Sequence, residues 1–460
     1  MSLVRCIGIS IAIGVAGLLP VASVDAQAPA RRAEAAEAPL PKDIDPSSLA
    51  RLPWPKREDM DEYGKQVFDE VVGKGQASLR FHSPRMAKPL AAAHHYAKFE
   101  TGLPRRLVEM AVLVTARELD NEFEWTQWVE HGQEAGVNPG SGPPEVEPAV
   151  IDLIRYCGPV TSLGDKDAAI VNLGREMFGQ RHVSSATFAE SVRLFGRRGT
   201  VDIVELMTLY SITGAELVAF DTHLTRGQTP SLPDRASTPA CARSRITAPT
   251  PDPAAPLPSD VDPDSRSRLP HPTRADMDDY GKQVWDELSK TRPAPLRLPA
   301  GRLYSPRLVK PLTEAHEYAK FGTELGTRLT ELAVLTTARE LDNQFEWTQW
   351  EEKGRSGQAP PEAGPAIVDV IKYCKPVTGL SEKDAAVITL GRELFGRNQV
   401  SSETFARALH LFGRRGVVDL VDLMALYAAT GWELDAYDMH LQKGQQPLLP
   451  ARGPGGCPTR

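Results

Sequence analysis

The chain carries one long segment twice: residues 106–128 return as 328–350, with Ala-Arg-Glu-Leu-Asp-Asn and Phe-Glu-Trp-Thr-Gln-Trp kept in register. A repeat of this length is a duplicated domain, because solenoid units run only to roughly 20–50 residues. Tyr63 pairs with Tyr280 and Cys157 with Cys374, both 217 apart (280 − 63, 374 − 157). Glu109 and Glu331 are 222 apart (331 − 109), so five residues enter near 297–301 and leave again after Trp350. Insertions of this kind belong in surface loops. Positions kept in both copies can then be read against those that drifted.

The remaining stretches follow from that map. Arg5, the apolar run 7–21 and the small-residue sites around Ala26 or Ala28 predict a signal peptide over 1–26. Residues 27–49 read as a flexible lead-in, 50–228 as the first domain, 229–265 as a Pro-rich linker, 266–445 as the second domain and 446–460 as a tail. The expected location is periplasmic or secreted, with no membrane association after cleavage. A net charge of −7 argues against nucleic acid as a partner. The Gly196-Arg-Arg-Gly199 and Gly413-Arg-Arg-Gly416 pairs read as helix-ending glycines around solvated arginines.

Once Cys6 leaves with the signal peptide, Cys157, Cys241, Cys374 and Cys457 remain. The last of each pair follows the first at nearly the same distance (241 − 157 = 84, 457 − 374 = 83). An even count in an exported chain favours disulfides, and four cysteines allow three connectivities. Cys157–Cys241 and Cys374–Cys457 are favoured over the alternative of buried thiols.

The fold class is all-α. Ser83-Pro84 and Ser305-Pro306 place a capping hydroxyl before a proline at the first helical position. Pro104 opens a helix bearing Leu107, Met110, Ala111 and Val114 at helical spacing, and a further helix carries Phe123, Trp125 and Trp128. Others are expected near 145–156, 165–179, 185–196 and 200–223, with no alternating strand pattern.

Asn121, Glu124 and Trp128 stand 12, 15 and 19 residues after Glu109, and Asn343, Glu346 and Trp350 repeat those offsets after Glu331. The last three of each set share a helical face. If that face meets the preceding helix, two carboxylates converge, and burial would separate them into one acid and one base. Trp125 and Trp128 would add apolar wall. The competing reading is a solvated glutamate beside core tryptophans.

The stretch Glu-Phe-Glu-Trp-Thr-Gln-Trp-Val-Glu-His-Gly-Gln-Glu-Ala-Gly-Val137, after the Leu-Val-Glu-Met-Ala-Val-Leu helix, resembles the carboxymuconolactone decarboxylase family, which includes alkylhydroperoxidase D-like proteins. The resemblance covers most of both copies and implies two tandem helical domains related by a pseudo-twofold. It also implies a homo-oligomer, here a trimer of tandem domains. In the peroxidase branch two redox cysteines and a histidine follow the acid. Here Asn121, Glu124 and Trp128 stand at those places, so thiol-based peroxide reduction has no nucleophile.

The decarboxylase branch implies a cofactor-free lyase or isomerase acting on a small carboxylated lactone or related acid. Glu109, Glu124, Glu331 and Glu346 would move protons, and Arg106, Arg117, Arg328 and Arg339 would seat the substrate carboxylate. Asn121, Trp125, Trp128, Asn343, Trp347 and Trp350 would line the pocket. Arg106 has an alternative as an intrahelical ion-pair partner of Glu109. His131, matched by Lys353, would replace the missing imidazole in the first domain alone. The alternative function is a catalytically silent ligand-binding or scaffold protein. His94 with His316 and His223 with His440 also occur in both copies; core or surface placement is their default, and His94 is singled out because its helix precedes that of Glu109. No metal-ligand spacing, phosphate loop or Gly-x-Ser-x-Gly elbow is present, so neither a metal nor another cofactor is expected.

Overall fold

The computed structural model describes residues 40–72, 78–131, 145–242, 255–290, 299–354 and 361–452. Among them are fourteen α-helices and no strand beyond two isolated bridges. In the first copy these are α1 (Glu62–Val72), α2 (Pro84–Phe99), α3 (Arg105–Glu118), α4 (Glu122–His131), α5 (Pro148–Arg155), α6 (Asp165–Gly174) and α7 (Ser185–Ala219). The second repeats them as α8 (Asp279–Ser289), α9 (Pro306–Glu317), α10 (Gly326–Glu340), α11 (Gln344–Lys353), α12 (Pro365–Lys372), α13 (Glu382–Gly391) and α14 (Ser402–Ala436).

Local chemistry explains most of the boundaries. Pro84 and Pro306 occupy the first helical position, where the missing N–H costs nothing. Ser184 and Ser401 cap the long helices by accepting from the amides of Thr187 and Thr404. Each long helix is broken at a glycine, Gly196 (φ 70°) and Gly413 (φ 68°), a backbone region that disfavours a side chain. The expected pair of helices 185–196 and 200–223 is accordingly present as two helical segments meeting near Gly196, the second ending at Ala219. Gly174 ends α6 where a Cβ would lie 2.4 Å from Val114 Cγ1, so only glycine lets α6 approach α3 this closely.

Burial then sets the architecture. From residue 107 onward every residue of α3 is buried, against α4, α6 and α7. The segments after the glycine breaks, Thr200–Ile212 and Val417–Leu434, are buried on all sides, and α7 packs on α14 at the centre. α2 packs on α9 in the same way. Lys42–Arg460 is accordingly one compact unit. The apolar surfaces of α3 and α10 are consumed inside it.

The two copies exchange polar contacts at this junction. Ser83 Oγ donates to Asp419 Oδ1 at 2.5 Å, and Ser305 Oγ donates to Asp202 Oδ1 at 2.5 Å. The hydroxyls expected to cap α2 and α9 are thus spent on the opposite copy. Arg198 donates to Tyr96 Oη (3.2 Å) and lies 3.8 Å from Asp202; Arg415 does the same with Tyr318 (3.1 Å) and Asp419 (3.7 Å). These arginines of the Gly-Arg-Arg-Gly segments remain exposed, as expected, while making these contacts. Deeper in, Arg302 meets Glu433 of its own copy at 2.7 Å and Glu205 of the other at 3.3 Å. Arg80 pairs with Glu216 and, at 3.5 Å, with Asp422.

Burial pushes the carboxyls of Asp202 and Asp419 up to about 6 against the pull of the serine hydrogen bonds and the arginines. A carboxyl whose folded pKa lies above its unfolded value holds its proton longer when folded. Its stabilising contribution is complete below about pH 4 and lost as pH rises through about 6. Asp202→Asn/Asp419→Asn should therefore flatten the stability–pH curve between pH 4 and 6, read by urea unfolding at half-unit steps. An unchanged slope would contradict the assignment.

The stretch expected to be a linker is partly docked. Glu122 accepts from the amides of Ser231 (2.8 Å) and Leu232 (3.0 Å), Arg235 holds Asp120 (3.0 Å), and Cys157 is bonded to Cys241. Cys374 is likewise disulfide-bonded, while Cys457 lies outside the described residues. The signal-peptide stretch, most of the lead-in and residues 453–460 also lie outside them. Among the described residues no helix is long and apolar enough to cross a membrane.

Candidate functional site

The two expected carboxylates of each copy serve different partners. Glu109 is fully enclosed; its Oε2 accepts from the amides of Glu145 (2.7 Å) and Val146 (3.2 Å), and its Oε1 lies 2.8 Å from Arg105 Nε. Glu331 accepts from the amide of Ala363 at 2.8 Å. Burial raises the pKa of Glu109 although those amides and Arg105 oppose it. Its task is to tie the chain entering α5 to α3. Glu124 points elsewhere, accepting from Trp128 Nε1 at 3.1 Å. The charges acting most strongly on Glu346 are Lys320, Arg302 and Glu433, with no leading contribution from Glu331.

Several other expected site residues are structural. Arg106 does not pair with Glu109; it grips Asp167 (2.7 Å) and Glu147 (2.6 Å), because the residue four positions before Glu109 is Arg105. Arg328 holds Asp384 through two bonds of 2.7 Å. Arg117 binds Asp120 and the carbonyl of Pro233 (2.8 Å), and Arg339 binds Asp342 and the carbonyl of Pro450 (2.8 Å). All four guanidiniums are thus engaged by protein groups. Asn121 and Asn343 sit ahead of α4 and α11, accepting from the amides of Glu124 (3.0 Å) and Glu346 (2.8 Å). Their amide nitrogens donate to the carbonyls of Gly214 (3.4 Å) and Gly431 (3.2 Å), which fastens α4 to α7 and α11 to α14.

Trp125 is core, with Arg155 5.6 Å above its ring; Trp347 is likewise buried and donates to Glu351. His131 closes α4, and its side chain lies outside what is described. Among the described residues no group of three or more His, Cys, Asp or Glu is arranged to hold a metal.

What does gather around Glu124 and Trp128 is a set from α2 and α7. Tyr210 meets Trp128 edge-on at 5.5 Å and His94 edge-on at 5.4 Å. Lys98 Nζ lies 5.2 Å from the Trp128 ring, one helical turn after His94. His94 Nε2 is 3.4 Å from Thr213 Oγ1. The second copy repeats the set: Tyr427 meets Trp350 at 5.2 Å and His316 at 5.5 Å, and Lys320 Nζ lies 6.0 Å from the Trp350 ring. His316 Nε2 is 3.4 Å from Thr430 Oγ1. Each copy therefore concentrates a carboxyl, an ammonium, an imidazole and a phenol against one indole.

The electrostatics are unusual for carboxylates and histidines. Burial lifts the Glu346 carboxyl to about 7, with Glu433 adding to the rise; Lys320, Arg302 and the Trp350 hydrogen bond pull it down. Burial beside Arg302 and Lys320 holds His316 well below its ordinary range, so it is neutral. Burial near Glu346 raises Tyr427 well above 10. A carboxyl titrating near neutrality beside a neutral imidazole can both give and take a proton.

Lys98, Lys320, Tyr210 and Tyr427 escape a reading based on spacing along one segment, since the tyrosines lie 82 and 77 residues beyond Trp128 and Trp350 (210 − 128, 427 − 350), on a different helix; kept identity in both copies was the available signal. The chain matches no family model, no curated protein and no solved structure.

Proposed function

We propose that the chain is a cofactor-free lyase or isomerase for a small carboxylated lactone or related acid, with one site per copy on a carboxymuconolactone-decarboxylase-like scaffold. The observation that carries this reading is the Glu346 carboxyl, buried, poised near pH 7 and set beside Lys320, His316 and Tyr427. In such a site Lys320 receives the negative charge of the acid. Loss of carbon dioxide leaves the bonding pair on carbon as an enolate, protonated Glu346 supplies the proton for the new carbon–hydrogen bond, and water restores the glutamic acid. Glu124 and Lys98 play these parts in the first copy. The arginines proposed from sequence to seat the substrate are replaced in this role by the lysines, because all four guanidiniums bind protein groups.

The test is a panel of carboxylated five-membered lactones incubated with the purified chain, with carbon dioxide release followed by mass spectrometry. Glu124→Gln/Glu346→Gln should lower turnover roughly 100-fold or more, the usual scale for a lost proton donor. Binding of the panel without carbon dioxide or an isomerised product would favour the silent ligand-binding reading instead.

A further inference from the structure

The hydrogen-bond donors around one threonine decide which nitrogen of His316 carries the proton. Thr430 Oγ1 lies 3.0 Å from the carbonyl of Leu426, 3.3 Å from Arg302 Nη2 and 3.4 Å from His316 Nε2. A hydroxyl has one proton to give and two lone pairs to receive with. The Leu426 carbonyl only accepts, so it takes the threonine proton. Arg302 only donates, so it fills one lone pair. The other faces His316, whose Nε2 must then bring the hydrogen. The neutral ring is the Nε2–H tautomer, and Nδ1 keeps its lone pair.

The surroundings keep that ring neutral. Arg302 and Lys320 stand on the segments flanking α9, Tyr427 and Glu433 on α14, and Glu346 on α11. The two cations oppose a further positive charge on the ring. Arg302 is itself enclosed, held by Glu433 and by Glu205 from the first copy. The chain of contacts therefore runs from the first copy, through Arg302 and Thr430, to the imidazole of the second. His94 meets Thr213 at the same distance in the first copy, and Arg80 stands between Glu216 and Asp422 as Arg302 does between Glu433 and Glu205.

We propose that His316 is held as the neutral Nε2–H tautomer by Thr430 and Arg302, and that its Nδ1 lone pair is a hydrogen-bond acceptor for substrate in the second site. The role toward substrate rests on the function proposed above; the tautomer does not.

The experiment is nitrogen-15 NMR of the full chain labelled at histidine, from pH 5.5 to 8.5, with His316 assigned by its loss in His316→Gln. The ring should stay neutral from about pH 6 upward with the hydrogen on Nε2. Thr430→Val should bring the Nε2–H form from dominant to roughly equal with the Nδ1–H form, and Thr430→Ser should restore it. A residue that only filled space would leave the tautomer ratio unmoved. A wild-type ring titrating near its ordinary value, or carrying its hydrogen on Nδ1, overturns the inference without recourse to any variant. So does a folded Thr430→Val protein with the wild-type ratio. A correct tautomer in a protein that turns over no lactone would sink the proposed function and leave this assignment standing. With turnover established, His316→Phe should raise KM several-fold; an unaltered KM removes the accepting role.

Discussion

Arg302→Ala is expected to destabilise the protein by about 3–5 kcal/mol, the scale for removing one partner of a buried ion pair. The arginine is enclosed between Glu433 at 2.7 Å and Glu205 at 3.3 Å, one from each copy, and both acids are fully buried. Without it two carboxyls face each other in an interior that already favours their neutral forms. The loss should consequently depend on pH. The unfolded chain ionises these glutamates above about pH 4.5, whereas the folded variant must keep them protonated or bury their charge, so the deficit grows as pH rises. Urea midpoints at pH 5 and pH 8 test both parts. A deficit under about 1 kcal/mol at both pH values would show that the cluster carries no such burden. Arg302→Met combined with Glu205→Leu and Glu433→Leu should recover most of the loss, since apolar replacement of a whole buried cluster is often neutral or stabilising.

The second large effect concerns Cys157–Cys241, which closes a separation of 84 residues. Loop-closure entropy for a ring of that size amounts to about 4–5 kcal/mol, and native disulfides usually contribute about 2–5 kcal/mol. Cys157→Ser should fall in that range by guanidinium unfolding. The docked segment retains other ties in the variant: Arg117 to the Pro233 carbonyl, Arg235 to Asp120, and Glu122 to the amides of Ser231 and Leu232. Proteolysis should thus strike near residue 241 before the rest of the fold opens. A midpoint unchanged in Cys157→Ser would mean that these ties alone hold the segment.

Helical class and most helix starts were legible because they depend on local rules. Proline after serine, glycine at a break and apolar periodicity are properties of a few consecutive residues. What was not legible depended on the other copy. Ser83 has every local mark of a cap, yet its hydroxyl goes to Asp419, 336 positions away. Arg106 was paired with Glu109 on spacing alone, whereas side-chain reach at one more residue gave the bond to Arg105.

The candidate site divides the same way. Glu124 and Trp128 were recognisable at a spacing of four, and their bond follows from that spacing. His94 stood out by recurrence, but Lys98 and Tyr210 join it only once α2, α4 and α7 are packed. The partners of Glu109 were not legible, because a buried acid looks the same in sequence whether it binds substrate or secures the entry to α5.

The serine-to-aspartate exchange across the centre has an evolutionary corollary. A gene cut within residues 243–254 would yield two fragments, each holding an aspartate whose serine donor was encoded on the other. Asp419 would keep the Tyr318 hydroxyl, while Asp202 would be left with Arg198. The copies have nonetheless drifted within the central cluster, with glutamate at 205 against aspartate at 422.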